Sequence, residues 1–263
     1  MMRTRLALSA LTAAGAAMIA GSLLGTGAVA TASTTTPVYQ LTYGFDAYSG
    51  LTKEARWSPC TVLDGVRRTH VIRYKVRTAG VPSRVTLVKN AMARVALATG
   101  LHFHYAGTTS FVPRGKLSGG SLLLAAARQR SATHSQLVVA WAYGGTGTGR
   151  SNLLTPGEAG VGSISWASSS RSQLRIGDAA VVMRRGVRLK PGFTSGGSVG
   201  TLLLHELGHA MGLQHVSYPR EVMYPVVSSL SSGGYTLGDR TGLSKVGAAK
   251  GCFRTPDLPP VSP

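Results

Sequence analysis

The sequence predicts an α+β domain in which a twisted, mixed five-stranded sheet packs on helices. Three observations lead there. Segments that alternate apolar and polar residues, or run continuously apolar, recur five times between residues 69 and 185. One amphipathic helical stretch interrupts them after the first segment, and a more apolar helical stretch follows the last. Finally, 263 residues with 43% hydrophobic content suit one large domain or two lobes sharing a core.

In chain order, the start is a basic MMRTR followed by the apolar run LALSALTAAGAAMIAGSLLGTGAVA, which exits through Ala28-Val29-Ala30. That layout predicts a secretory signal peptide over 1–30, cleavage near Ala30 and an extracellular product. A retained membrane anchor is the competing reading, since the run is long enough to span a bilayer. Residues 31–56, which begin with a polar stretch, are expected to be a leader or short pro-region. The catalytic-sized domain is expected over 57–263: an upper lobe to about 212, a lower lobe over 213–252 and a tail over 253–263.

THVIRYKV (69–76) alternates like a half-buried strand. In VPSRVTLVKNAMARVALATG the apolar positions Val85, Leu87, Val88, Ala91, Val95 and Leu97 fall at helical spacing, with Ser83 as expected N-cap and Gly100 as stop. LHFHYAG predicts a second strand with Leu101, Phe103 and Tyr105 on one face, leaving His102 and His104 toward solvent. QLVVAWAY (136–143) reads as an interior strand, and GVGSISWAS and DAAVVMRR complete the five. The Gly/Ser loop TSGGS then leads into the apolar helix GTLLLHELGHAMG. GGTGTGRS (144–151) resembles a phosphate-binding loop with Arg150 in place of lysine, but no helix pattern follows, so a surface loop is expected. His70 and His134 are expected to be ordinary polar residues.

Outside a cell, the two cysteines, Cys60 and Cys252, predict one disulfide joining the start of the domain to its end. The charge is lopsided, with 28 basic residues against 9 acidic and a net charge of +19. Nucleic acid is not the expected partner, because no recognition motif accompanies the charge. Anionic cell-wall polymers or surfaces are candidate partners, beside a merely solvated basic surface. A monomer is expected.

Residues 205–215 read HELGHAMGLQH, gathering three of the seven histidines into eleven positions. Residues four apart share a helix face, so His205 and His209 can hold one metal. Glu206 lies one position round, placed to reach a metal-bound water. Gly212 is expected to end the helix in a left-handed turn and return His215 as third ligand. Three neutral nitrogen ligands with an open position form a catalytic zinc arrangement. At this composition the full spacing arises by chance with a probability on the order of 10⁻⁵.

These residues resemble the metzincin zinc endopeptidases, and the continuation VSYPREVMYP is similar to the matrixin branch. The resemblance implies that Met223 forms an apolar floor under the metal, and that Tyr224 and Pro225 wall the pocket beyond the scissile bond. It further implies a closing helix in LGDRTGLSKV with Asp239 as cap and buttress, and an extended polypeptide substrate along GVGSISWAS. Matrixins usually carry structural zinc and calcium; five scattered aspartates offer no clustered ligands, so one zinc and no dedicated calcium are expected. The expected activity is peptide-bond hydrolysis with Glu206 as general base. The alternatives are a wall-binding protein with a non-catalytic zinc site, or an amidase acting on wall peptides.

Overall fold

The structure, a computed structural model, describes residues 2–6, 37–46, 51–63, 66–118, 121–168 and 174–253. In chain order the strands and helices are β1 (Met2–Leu6), β2 (Tyr43–Asp46), β3 (Leu51–Arg56), β4 (Cys60–Leu63), β5 (Val66–Thr69), β6 (Val71–Arg77) and α1 (Ser83–Thr99). Then come β7 (His102–Thr108), β8 (Gly115–Ser118), β9 (Ser121–Leu124), α2 (Ala126–Thr133), β10 (Leu137–Gly144), β11 (Arg150–Ser151), β12 (Glu158–Ser168) and β13 (Leu174–Arg184). The zinc-motif helix α3 (Val199–Met211), β14 (Val226–Val227) and α4 (Leu237–Val246) follow.

The main sheet runs β14-β1-β12-β13-β10-β6-β7. Its centre, β12 to β7, holds the five expected strands: β13, β10, β6 and β7 are parallel, and β12 is antiparallel to β13. The sheet exceeds the expected five because short strands extend it: β1 and β14 beyond β12, β11 beside β10, and β3 with β2 beside β13.

Side-chain alternation divides the core. From β10, Leu137, Val139 and Trp141 enter the main core with α1, α3 and α4 residues, among them Val88, Met92, Leu203, Leu207 and Leu243. On the opposite face Ala142, Ala180, Val182 and Val161 pack with Leu124, Leu153 and Leu154. Burial on both faces is why this strand reads as a continuous apolar run. Helix α1 buries Val88, Ala91, Met92, Val95 and Thr99 on one stripe and ends at Gly100, whose φ of 68° is left-handed. Its N-cap is Pro82 rather than the expected Ser83, which is already helical and gives no side-chain cap.

Part of residues 31–56, the expected leader or short pro-region, packs against the rest of the fold. Leu41 bridges to Leu213, Thr42 donates its N–H to the Gly212 carbonyl, and Ala55 is fully buried. Of the expected signal segment 1–30, residues 2–6 form β1 on the β12 edge, and the rest lies outside the described residues. The expected disulfide joins Cys60 to Cys252. His102 and His104 are exposed, as expected, and most of the 144–151 loop is too. His70 instead is buried, between the Ser58 carbonyl and the Gln136 amide.

Candidate metal centre

Helix α3 begins at Ser198, whose hydroxyl accepts the Thr201 N–H at 3.1 Å. Leu202, Leu203, Leu204, Leu207, Ala210 and Met211 bury it on every side, as an all-round apolar helix requires. His205 and His209 project together, one turn apart, with ring centroids 4.7 Å apart. Gly212, with φ 107°, ends the helix and donates to the Gly208 and His209 carbonyls. A side chain there would sit 2.6 Å from the Ala55 carbonyl oxygen, so glycine is needed for conformation and for space alike. The chain turns and brings back His215.

The three Nε2 atoms form a triangle with edges of 3.0, 3.1 and 3.2 Å. His205 Nδ1 lies 2.6 Å from the Val222 carbonyl, and His209 Nδ1 lies 2.9 Å from the Leu213 carbonyl. A carbonyl only accepts, so both Nδ1 atoms carry the proton and both Nε2 atoms present bare lone pairs to one another. Lone pairs held 3.0 Å apart repel unless a cation lies between them. The residues therefore fit a metal ion, and three neutral imidazoles fit zinc. Burial lowers each imidazole's pKa. Burial, then the neighbouring His215, pushes His205 down to about 3. Burial and the other two rings carry His209 well below its ordinary value, and burial lowers His215. All three are held in the neutral, ligating form.

Glu206 is fully buried against β12, where a Cβ on Gly160 would lie 2.6 Å from its Oε1. Gly162 is equally confined: a Cβ there would meet the Glu206 carbonyl oxygen and lie 2.6 Å from His209 Cβ. These two glycines let β12 lie directly against the motif helix. Below the helix, Met223 is buried with its Sδ toward Gly208, at a distance that leaves no room for a side chain at 208. Tyr224 and Pro225 follow, partly exposed, and lead straight into β14, which lies across β1 from β12.

The Met223 turn is fixed by carboxylates. Asp239 accepts the N–H groups of Val222 at 2.8 Å and Met223 at 3.1 Å, and forms a capping box with Thr236 at the start of α4. The cap-and-buttress position expected of Asp239 is therefore present. Sequence reasoning missed Glu221. It is buried, accepts the Gly238 and Asp239 N–H groups at 3.1 and 2.9 Å and receives the Thr236 hydroxyl. Burial first, and Glu221 beside it, raise the Asp239 pKa to about 6. The pair holds Val222, whose carbonyl orients His205, so a short relay connects the α4 cap to a metal-ligating ring. The available signal was scarcity: Glu221 is one of four glutamates in the chain and stands two residues before Met223.

The matrixin family profile matches residues 163–246, which take in most of β12, all of β13 and α3, the Met223 turn and α4. No curated protein matches the chain. That match and the three histidine nitrogens gathered on one point support a matrixin-like metzincin, a zinc metalloendopeptidase.

Proposed function

We propose that the protein is a secreted endopeptidase that hydrolyses extended polypeptides, with His205, His209 and His215 holding one zinc ion and Glu206 acting as general base. The observation that carries this reading is the convergence of three histidine Nε2 atoms one residue from a buried carboxylate, against β12. Zinc held by His205, His209 and His215 would supply polarisation of a substrate carbonyl and acidification of a bound water. Glu206 takes the proton from the attacking water as the oxygen–carbon bond forms, then delivers it to the departing nitrogen as the carbon–nitrogen bond breaks.

Strand β1 supports the substrate geometry. It lies antiparallel to β12 through the pairs Met2–Gly162, Arg3–Val161, Thr4–Gly160 and Arg5–Glu158, and parallel to β14 through Arg5–Val226 and Leu6–Val227. Cleavage near Ala30 would remove this strand and leave both edges open to a substrate chain running in the same sense. Tyr224 and Pro225, at the entry to β14, then wall the pocket for the residue after the scissile bond, above the floor formed by Met223. The disulfide supports an extracellular location. One zinc and no dedicated calcium are proposed, because two of the five aspartates are already engaged, Asp178 with Arg130 and Asp239 with the Met223 turn.

The test is casein hydrolysis by the mature protein beside a Glu206→Ala variant and a chelator-treated sample. Expected are loss of at least about 10³-fold in the variant with zinc still bound, and loss on chelation that zinc restores. An equally active variant would remove Glu206 as base. No cleavage by folded, zinc-loaded wild type would turn the reading toward wall-peptide amides or a wall-binding protein.

A further inference from the structure

A second feature stands apart from the zinc ligands, where β6, β10 and β13 reach their carboxyl ends. Four arginines gather there around two aromatic rings of β10. Arg84 lies 4.8 Å from the Trp141 ring centroid, Arg185 lies 4.6 Å from Tyr143, and Arg150 lies 5.7 Å from Tyr143. Arg77 donates to the Trp141 carbonyl and, at 3.2 Å, to Ser110. Backbone carbonyls hold two of the others: Thr78 receives Arg84 at 2.6 Å and Gly144 receives Arg150 at 2.9 Å.

These contacts fix the guanidiniums without neutralising them. The ion pairs among the described residues, Arg130–Asp178 and Lys250–Glu54, lie elsewhere. Ring faces offer a cation only partial compensation. Desolvation, and after it Arg185, lowers the pKa of both Arg77 and Arg84, and Arg77 adds to the effect on Arg84. Like charges held this close cost stability, and an anion shared between them would relieve that cost.

We propose that Arg77, Arg84, Arg150 and Arg185 form an exosite for a phosphate-bearing polyanion. Phosphate fits better than carboxylate because three of the guanidiniums already commit N–H groups to a backbone carbonyl. A carboxylate is best held by the open fork of one arginine, whereas tetrahedral phosphate oxygens accept single N–H bonds from several fixed donors. A polymer fits better than a single ion because the four arginines are spread over two rings and three strand ends. The exosite would hold the enzyme on an anionic matrix and is independent of the zinc chemistry.

The test is binding of fluorescently labelled inorganic polyphosphate, followed by anisotropy across a salt series. A variant carrying Arg77→Gln, Arg84→Gln and Arg185→Gln is expected to bind about 30-fold more weakly, with a salt dependence flattened by about three counterions. The control carries Arg67→Gln, Arg68→Gln and Arg73→Gln, exposed positions on β5 and at the opposite end of β6. It loses the same charge and should weaken binding less than about threefold. Equal loss in both variants would overturn the exosite in favour of diffuse net charge. Polyglutamate binding as tightly as polyphosphate would overturn phosphate as the ligand. Should the triple variant not fold, Arg185→Glu alone, checked by its melting curve, carries the same expectation.

Discussion

The zinc centre and the arginine cluster treat charge in opposite ways. Around the centre, Glu206, Glu221 and Asp239 are buried, and the latter two are engaged by backbone N–H groups and a hydroxyl. At the carboxyl ends of β6, β10 and β13, guanidiniums are fixed by carbonyls and rings, and among the described residues none has a carboxylate partner. With nine acidic residues against 28 basic ones, the chain uses two of its few carboxylates, Glu221 and Asp239, to orient a turn and a ligand. Charge is internal architecture in one region and surface display in the other. Substitutions should therefore propagate from the first and stay local in the second.

After Glu206→Ala, the largest effect expected is from Gly162→Ala, which tests how tight the centre is. Its methyl would press on the Glu206 carbonyl oxygen and on His209 Cβ, both backed by a buried helix. Overpacking of this kind costs about 1–3 kcal/mol. A displacement near 1 Å of the helix would lower kcat/KM by about 100-fold. Melting curves and casein kinetics check both, and a variant unchanged in both would show that strand and helix can separate freely.

Next is Glu221→Gln. One amide oxygen cannot replace a carboxylate that accepts three donors, so a loss of about 1–2 kcal/mol is expected. The pH dependence is more telling. Asp239 is raised from 3.8 to about 6 in the folded protein. The stability it adds is complete below the lower value and disappears as pH rises through the upper one. Removing the Glu221 charge lowers that folded value. Urea denaturation between pH 4 and 7 should therefore show a shallower decline for this step in the variant than in wild type. Parallel profiles would show that the two carboxyls are not coupled.

The smallest effect expected is from Arg185→Gln. Neutralising one of the repelling guanidiniums should stabilise by about 0.5 kcal/mol after solvent screening, read as a slightly higher melting temperature at low salt. A loss of several kcal/mol would mean that this region, too, is architecture.

The site was largely legible because its chemistry is local in sequence. His205, Glu206, His209, Gly212 and His215 are one helix and one turn, and the period of 3.6 places them. The central strands were legible because alternation, or burial on both faces, marks them. What lay hidden depends on distant partners. Residues 37–56 carry no periodicity, yet Leu41 and Ala55 are buried against the turn after α3 and against β13. Helix α2 has no apolar residue larger than alanine and buries Gln129 and Thr133 rather than an apolar stripe, so no hydrophobic pattern announces it. Gly160 and Gly162 look like any strand glycines until α3 lies against them. Glu221 has a reason to be a glutamate only once α4 is folded beside it.

The Cys60–Cys252 bond closes a span of 192 residues that contains every zinc ligand. A protease in solution meets its own surface loops as readily as any other polypeptide. A single internal cut, for example in the exposed 144–149 loop, would leave two fragments still covalently joined. Such a nicked molecule would migrate intact until reduced, keep its ligands on one covalent assembly and age without falling apart.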